Sequence, residues 1–365
     1  MNYDARLAKL LGLMGVDAIA FVPGANMVYF TGLHFHLSER PIVAIYSDKR
    51  LSFIVPELET PKLVARPDLE AQTFLWTDEG GFERAFQQAV QDLRLNNAVL
   101  GVDGQTMRVF EYMAFADSGA TQMKNIGMDL LNIRARKERE EVNAMQEAIR
   151  LSEQALHRLL DWVQPGMTER AIATELTRLL YEGGSQGEAF AALVQTGPNS
   201  AVPHGGVTDR VLGADDFLLI DFGGMLHDYP ADITRTFCLG TPSEEMQKIH
   251  ATVLEANRAA TAAAGPGVPC GVVDKAARDV IEAAGYGEYF FHRTGHGLGL
   301  EGHELPQVAA GVEAVLEPGM VFTIEPGIYV PGLGGVRIED NVHVTDNGVE
   351  MLTQFPRELQ FRRES

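Results

Sequence analysis

Two stretches of the chain, VQPGMTERAIATELTRLLYEGG at 163–184 and AGPGVPCGVVDKAARDVIEAAG at 264–285, resemble one another. Pro165 and Pro266 are 266 − 165 = 101 residues apart, and Gly184 and Gly285 keep the same interval. In each copy a long helix, a Pro-Gly turn and a second helix precede β-rich sequence that holds paired carboxylates. The period is too long for a stacked solenoid repeat. It predicts one domain built of two pseudo-symmetric α/β halves, with a site between them.

In the first copy Val142, Met145, Ile149, Leu156, Leu159, Leu160 and Val163 mark one face of the long helix. Pro165-Gly166 ends it, Thr168 can N-cap the next helix, and Glu169 suits its first turn. The charged run RARKEREE at 134–141 reads as a solvated helix start. Upstream, residues 1–125 alternate α and β signals: a helical stripe of Leu7, Leu10, Leu11 and Met14, then apolar strands at 18–22, 41–46, 51–55 and 98–102. That region holds no dense set of ligands or nucleophiles and reads as a packing and dimerisation domain. Residues 126–136 read as a linker, and 137–365 as the part that carries chemistry.

A chain of 365 residues is long enough for two domains. Its formal net charge of −20, with no Lys/Arg cluster, repels phosphate backbones and anionic lipids, which excludes nucleic-acid and membrane-surface partners. Cys238 and Cys270 lack metal-ligand spacing and read as reduced core residues. The N-terminal MNYDARLAKLLGLMG has no secretion signal, and no apolar run spans a bilayer, so a cytoplasmic protein is expected.

The chemistry concentrates in three segments. In FLLIDFGGMLHDYPADITRTF, 217–237, an apolar strand ends at Asp221, and Asp232 opens a second strand eleven residues later. In MVFTIEPGIYVPGLGGVRIEDNVHV, 320–344, an apolar strand ends at Glu325, and a Gly/Pro-rich turn returns the chain to Glu339. Strand alternation puts Arg337 on the face of Glu339, and Tyr329 on the face of Glu325. Between them RTGHGLGLEGHE, 293–304, carries His296 and His303 among glycines that permit close approach. Four carboxylates and an imidazole facing one another repel unless cations neutralise them. Two divalent ions do so and, about 3.5–4 Å apart, can share a water whose pKa falls towards roughly 7. Oxygen-rich ligation with one histidine suits Mn²⁺, Co²⁺ or Zn²⁺.

The ordered set Asp221, Asp232, His296, Glu325 and Glu339 resembles the metal-ligand signature of the superfamily of methionine aminopeptidase, aminopeptidase P and prolidase (peptidase family M24). TGPNSAVPH at 196–204, DITRTF at 232–237, GHGLGLEGHE at 295–304, and the EPG and RIED segments extend the match. NMVYFTG at 26–32 resembles a segment of the N-terminal domain of the proline-specific branch and of creatinase. The resemblance implies an α+β protein: a C-terminal pita-bread fold of two pseudo-symmetric halves, preceded by a smaller α/β creatinase-like domain that dimerises and borders the active site. It implies that Asp232 and Glu339 bridge two metal ions, Asp221 completes one shell, and His296 and Glu325 complete the other. Glu325 would also handle the proton of the attacking water. His204 and His303 would bond the substrate carbonyl, the scissile nitrogen or the tetrahedral intermediate, and Arg337 would orient either Asp232 or the substrate's carboxylate. Tyr329 is a weaker candidate for an outer site. His34 and His36, spaced like one face of a strand, have no companion ligands and read as loop residues at a subunit interface, within reach of the partner's site.

The implied enzyme is a homodimeric hydrolase of proline-containing peptides, with Mn²⁺ the first choice of metal and Co²⁺ or Zn²⁺ the alternatives. A spacing of 339 − 325 = 14 residues between the two glutamates resembles compact prolidases, which are Xaa-Pro dipeptidases. The nearest alternative is an Xaa-Pro aminopeptidase acting on longer peptides. A creatinase-like hydrolase or a catalytically dead binding module would be expected to have lost ligands that are intact here.

Overall fold

Short apolar runs between turn residues become the strands of the N-terminal unit: β1 (Ala18–Phe21), β2 (Val43–Ser47), β3 (Arg50–Pro56), β4 (Gln72–Trp76), β5 (Leu100–Val102) and β6 (Met123–Asn125). The computed structural model describes residues 1–360 apart from Leu11 and Met14. The chain divides into two units, Met1–Arg134 and the remainder from Ala135 onward. In the first, the strands form one mixed sheet in the order β4-β3-β2-β1-β5-β6. The β2–β3 hairpin turns on Asp48 and Lys49, both at positive φ (48° and 61°), the geometry that matches strand twist in a two-residue loop. Phe74, Trp76, Phe86 and Phe115 fill the core under the sheet.

The four expected strands lie in this sheet; β4 and β6 carry weaker signals, β4 because three of its five residues are exposed and β6 because it is only three residues long. Helix Tyr3–Leu10 buries Leu7 and Leu10 as the stripe requires, while Leu11 and Met14 lie outside the described residues. Gly127–Ala135, in the stretch expected to link the domains, is helical. His34 and His36 lie in a segment without regular secondary structure.

The second unit repeats a helix pair. Helices Arg139–Trp162 and Glu169–Glu182 precede β7 (Leu193–Thr196), β8 (Leu218–Phe222), β9 (Met225–Leu226), β10 (Tyr229–Pro230) and β11 (Ile233–Phe237). Helices Glu244–Ala263 and Cys270–Ala283 precede β12 (Gly295–Gly297), β13 (Glu304–Val308), β14 (Val321–Ile324), β15 (Gly327–Val330), β16 (Gly334–Arg337), β17 (Asp340–Thr345) and β18 (Gly348–Met351). The first half forms the antiparallel sheet β11-β8-β7, and the second forms β13-β12-β14-β17-β18 with the hairpin β15–β16 beside it. The repeated turns make equivalent bonds: the Gly166 N–H donates to the Leu212 carbonyl at 2.8 Å, and the Gly267 N–H to the Leu316 carbonyl at 2.8 Å.

Each helix pair covers its own sheet. Leu156, Leu159, Leu176 and Leu180 pack on Ile220 and Phe222, and Ile249, Val253, Val273 and Ile281 pack on Phe322 and Val342. Burial of each such side chain contributes about 1.5–3 kcal/mol. Cys238 and Cys270 are buried and unpaired in the second of these cores. Among the described residues no helix is long and apolar enough to cross a membrane.

The charged run at 134–141 departs from a solvated helix start. Arg136, Arg139 and Glu140 are exposed, but Arg134, Lys137 and Glu141 are buried. Lys137 neutralises the equally buried Glu304 at 3.1 Å. Glu141 closes a capping box with Glu138 and accepts from the Tyr229 hydroxyl at 2.8 Å. A charge pattern cannot distinguish a side chain that meets water from one that meets a buried partner of opposite sign.

Candidate active site

The antiparallel register pairs Asp221 on β8 with Thr234 on β11. Asp232, two residues before Thr234, therefore projects on the same face. From the other half, Glu325 follows the last residue of β14, and Glu339 lies between β16 and β17. The Glu339 N–H donates to the Thr234 carbonyl at 3.1 Å, and the Thr234 hydroxyl donates to Glu339 Oε2 at 2.6 Å. The Asn341 side-chain amide holds the Asp232 carbonyl. His296 enters from β12 between Gly295 and Gly297, where added Cβ atoms would come within 1.8 Å of the Thr323 oxygen and 2.0 Å of the Leu305 oxygen. Only glycine on both sides lets the strand carry the imidazole this deep.

Asp232, His296, Glu325 and Glu339 converge, and Asp221 is near enough for its charge to act on the other acids. His296 Nε2 is 3.3 Å from Glu325 Oε1 and 3.6 Å from Asp232 Oδ2, and donor atoms of Asp232, His296 and Glu339 lie within 4.8 Å of one another. Burial, with His303 alongside, lowers the His296 pKa to about 3, so the ring is neutral. Its Nδ1 lies 3.1 Å from the Gly297 carbonyl, which assigns the proton there and turns the Nε2 lone pair towards the acids. Burial holds Asp232 and Glu339 well above the usual carboxylate range; Asp221 and Glu325 add to both, and Asp232 adds to Glu339. Burial, reinforced by Asp221, pushes Glu325 up to about 7. Asp221 Oδ1 is buried without a hydrogen-bond partner. A set of carboxylates that resist ionisation in one another's presence, an outward-facing imidazole lone pair and an orphaned carboxylate oxygen are the donors a divalent cation requires.

At the rim His303 meets His296 edge to face, with ring centroids 4.2 Å apart. His204 lies in the loop after the turn Gly197–Ala201, and both rim histidines are exposed. Burial, Arg293 and His204, in that order, lower the His303 pKa, so the two histidines share one electrostatic neighbourhood. Arg337 is buried and engaged on three sides: Nη2 donates to Asp221 Oδ2 at 2.5 Å, Nη1 to the Tyr329 hydroxyl at 2.8 Å, and Nε to Thr234 Oγ1 at 3.0 Å.

Residues 143–346 match metallopeptidase family M24, and residues 5–136 match the creatinase/prolidase N-terminal domain. The chain belongs to metallopeptidase family M24. Its fold is accordingly a C-terminal pita-bread domain preceded by a creatinase-like domain, as the sequence resemblance implied. An Xaa-Pro dipeptidase of Pyrococcus furiosus is 34% identical over 360 residues, 97% of this chain and 99% of that protein. The crystal structure of a dipeptidase from Pyrococcus horikoshii superposes with a TM-score of 0.92 at 35% identity, covering 98% of this chain and 99% of that one. An X-Pro aminopeptidase from Thermotoga maritima superposes with a TM-score of 0.86 at 31% identity, covering 98% and 99%.

Within this M24 metallopeptidase two sequence expectations need correction. The carboxylate held by Arg337 is Asp221, not Asp232, because the β16 strand runs its side chain past Thr234 to the end of β8. Tyr329 is buried rather than part of an outer site: its hydroxyl accepts from Arg337 and lies 2.8 Å from His292 Nε2. Burial raises the Tyr329 pKa to about 12, and burial with Arg337 nearby lowers that of His292 to about 3. His292 Nδ1 lies 2.7 Å from the Arg293 carbonyl, so its Nε2 accepts the tyrosine proton. Sequence reasoning passed over His292 and Thr234. Their positions, four residues before His296 and two after Asp232, are the available signal.

Proposed function

We propose that the chain is an Xaa-Pro dipeptidase (prolidase) that cleaves the peptide bond preceding proline. The observation that carries the reading is the convergence of Asp232, His296, Glu325 and Glu339, with Asp221 held nearby by Arg337, in a chain alike from end to end to an enzyme of that activity. Asp221, Asp232, His296, Glu325 and Glu339 would together hold two divalent ions, with Asp232 and Glu339 contributing to both. Mn²⁺ is the first candidate, with Co²⁺ and Zn²⁺ behind it. Bound there, such ions polarise a substrate carbonyl and acidify water.

The side chains supply the remainder. Glu325, beside His296, would take a proton from the attacking water and pass it towards the leaving nitrogen. His303 and His204 donate to the oxygen that gains negative charge as the carbonyl is attacked. Arg337 orients Asp221. Residues 137–365 carry these groups, and 1–125 serve dimerisation in a cytoplasmic homodimer.

The likeness to the Thermotoga maritima enzyme supports a second reading, an Xaa-Pro aminopeptidase with the same centre. Hydrolysis of Ala-Pro beside Ala-Pro-Ala, with Mn²⁺ and with chelator, separates them. Chelator-sensitive cleavage of the dipeptide is expected. Preference for the tripeptide moves the chain to the aminopeptidase reading, and inactivity on both with every metal removes both.

A further inference from the structure

Glu169, the first residue of helix Glu169–Glu182, is 0% exposed, and among the described residues no cation forms an ion pair with it. A carboxylate taken out of water without a counter-ion is stable only where hydrogen-bond donors replace the water. Here five donors do so. Oε1 accepts from the Thr196 N–H at 2.8 Å, the Thr196 hydroxyl at 3.1 Å and Asn199 Nδ2 at 3.0 Å. Oε2 accepts from the Thr208 N–H at 2.9 Å and the Thr208 hydroxyl at 2.6 Å. The hydroxyl protons are assigned by the donors behind them. Thr196 Oγ1 accepts from Arg210 Nη1 at 2.6 Å, and Thr208 Oγ1 from Asn199 Nδ2 at 3.1 Å, so each hydroxyl turns its proton to Glu169.

All five donors belong to residues 196–208, the loop that carries His204. One carboxylate therefore pins both ends of that loop and its first turn. Its inner side rests on β16, the strand of Arg337: the Gly335 N–H donates to Ser200 Oγ at 2.7 Å, and a Cβ at Gly335 would come within 2.1 Å of the Ser200 oxygen. Around His204 itself, the Val202 carbonyl accepts from Gln195 Nε2 and from the Gly205 N–H, each at 3.0 Å. The second half offers a contrast. Asp274 Oδ1 accepts from the Thr294 N–H at 3.1 Å and hydroxyl at 2.7 Å, the same two groups that Thr196 offers, but Asp274 Oδ2 is paired with Arg278. In the first half the second oxygen is spent on the far end of the histidine loop instead.

We propose that Glu169 is a positioning residue for His204, holding the 196–208 loop in the geometry from which the imidazole reaches the oxygen that gains negative charge. This rests on the reading of His204 as a donor to that oxygen and adds what places it there. A carboxamide of the same shape cannot substitute, because it has one acceptor oxygen in place of two and turns an NH₂ group towards the donors of Thr196 or Thr208.

The test uses the full-length chain loaded with Mn²⁺, on whichever of Ala-Pro and Ala-Pro-Ala it prefers. His204→Ala should lower kcat about 10²-fold or more, the effect of losing one donor to developing charge. Glu169→Gln should lower kcat roughly tenfold with KM changed less than about twofold, the signature of a contact made only in the transition state. In the His204→Ala background Glu169→Gln should have no further effect, a non-additivity that a general loss of stability would not produce. Thr208→Val removes one donor and tests the same point should Glu169→Gln fail to fold. It should lower kcat about threefold and Thr208→Ser not at all, with the same silence once His204 is gone. A folded Glu169→Gln or Thr208→Val with wild-type kcat, or losses that persist undiminished in His204→Ala, would overturn this assignment alone. An unchanged kcat in His204→Ala would overturn it together with the role given to His204, and inactivity of the wild type on both substrates together with the peptidase reading.

Discussion

In the first half of the catalytic unit, helices Arg139–Trp162 and Glu169–Glu182 cover a three-stranded sheet that delivers two aspartates; in the second, Glu244–Ala263 and Cys270–Ala283 cover a five-stranded sheet that delivers His296, Glu325 and Glu339. Each half also sends one arginine into the other. Arg235 of the first reaches Asp340 of the second at 2.7 Å, and Arg337 of the second reaches Asp221 of the first at 2.5 Å. The two arginines are 337 − 235 = 102 residues apart, close to the repeat interval. Their settings differ. The side chains of Arg235 and Asp340 are 1% and 0% exposed, and Asn257 and Arg357 also bond Asp340, whereas Asp221 retains 18% exposure at the edge of the metal cluster. One device thus serves cohesion in one direction and the catalytic centre in the other.

This comparison can be broken at several points. The largest expected effect is on activity: Glu339→Gln removes a proposed metal ligand that Thr234 of the other half holds, and should lower kcat/KM by about 10³-fold or more, since a catalytic metal contributes several kcal/mol. Steady-state kinetics alongside metal content checks it. Next, Arg235→Met should cost about 3–5 kcal/mol of unfolding free energy by leaving Asp340 less well compensated. Urea denaturation reads this, and a cost near zero would deny the cohesive role. Arg337→Gln should reverse the balance, lowering kcat about 10- to 100-fold, as loss of a group that orients a proposed metal ligand would, with the smaller stability loss of the two. The smallest effect compares the helix starts. Thr168 accepts from the Ala171 N–H at 3.1 Å, but the equivalent helix begins at Pro269 without a side-chain cap. Thr168→Ala should therefore cost about 1 kcal/mol and Pro269→Ala much less, by the same denaturation assay.

The repeat, the Pro-Gly turns, the long amphipathic helix and the apolar strands ending in acids were legible because period and composition are local properties of a sequence. Asp221, Asp232, His296, Glu325 and Glu339 could be named as candidate ligands once matching motifs set their order, and four of them, Asp232, His296, Glu325 and Glu339, lie together. What sequence reasoning missed depends on register and partners. Glu169 suited a helix start, yet it is fully buried and accepts from the backbone N–H groups of Thr196 at 2.8 Å and Thr208 at 2.9 Å. The partner of Arg337 turned on which acid lies at the end of β8 beside Thr234. Lys137 and Glu304 are 304 − 137 = 167 residues apart, and no charge pattern links them.

The central claim is that the two halves together hold two divalent ions, and titration of the chelator-stripped chain with Mn²⁺ at pH 6 and pH 8 tests it most directly. The cation takes the ionised carboxylates, so protons must leave Glu325, with its pKa near 7, and Asp232 and Glu339, which are also raised; affinity should therefore increase with pH. His296, lowered to about 3, is already unprotonated and adds no dependence in that window. The account predicts two ions per chain and an affinity about tenfold higher at pH 8 than at pH 6 from the Glu325 proton alone. No binding, a single ion at saturation, or an affinity indifferent to pH would contradict it.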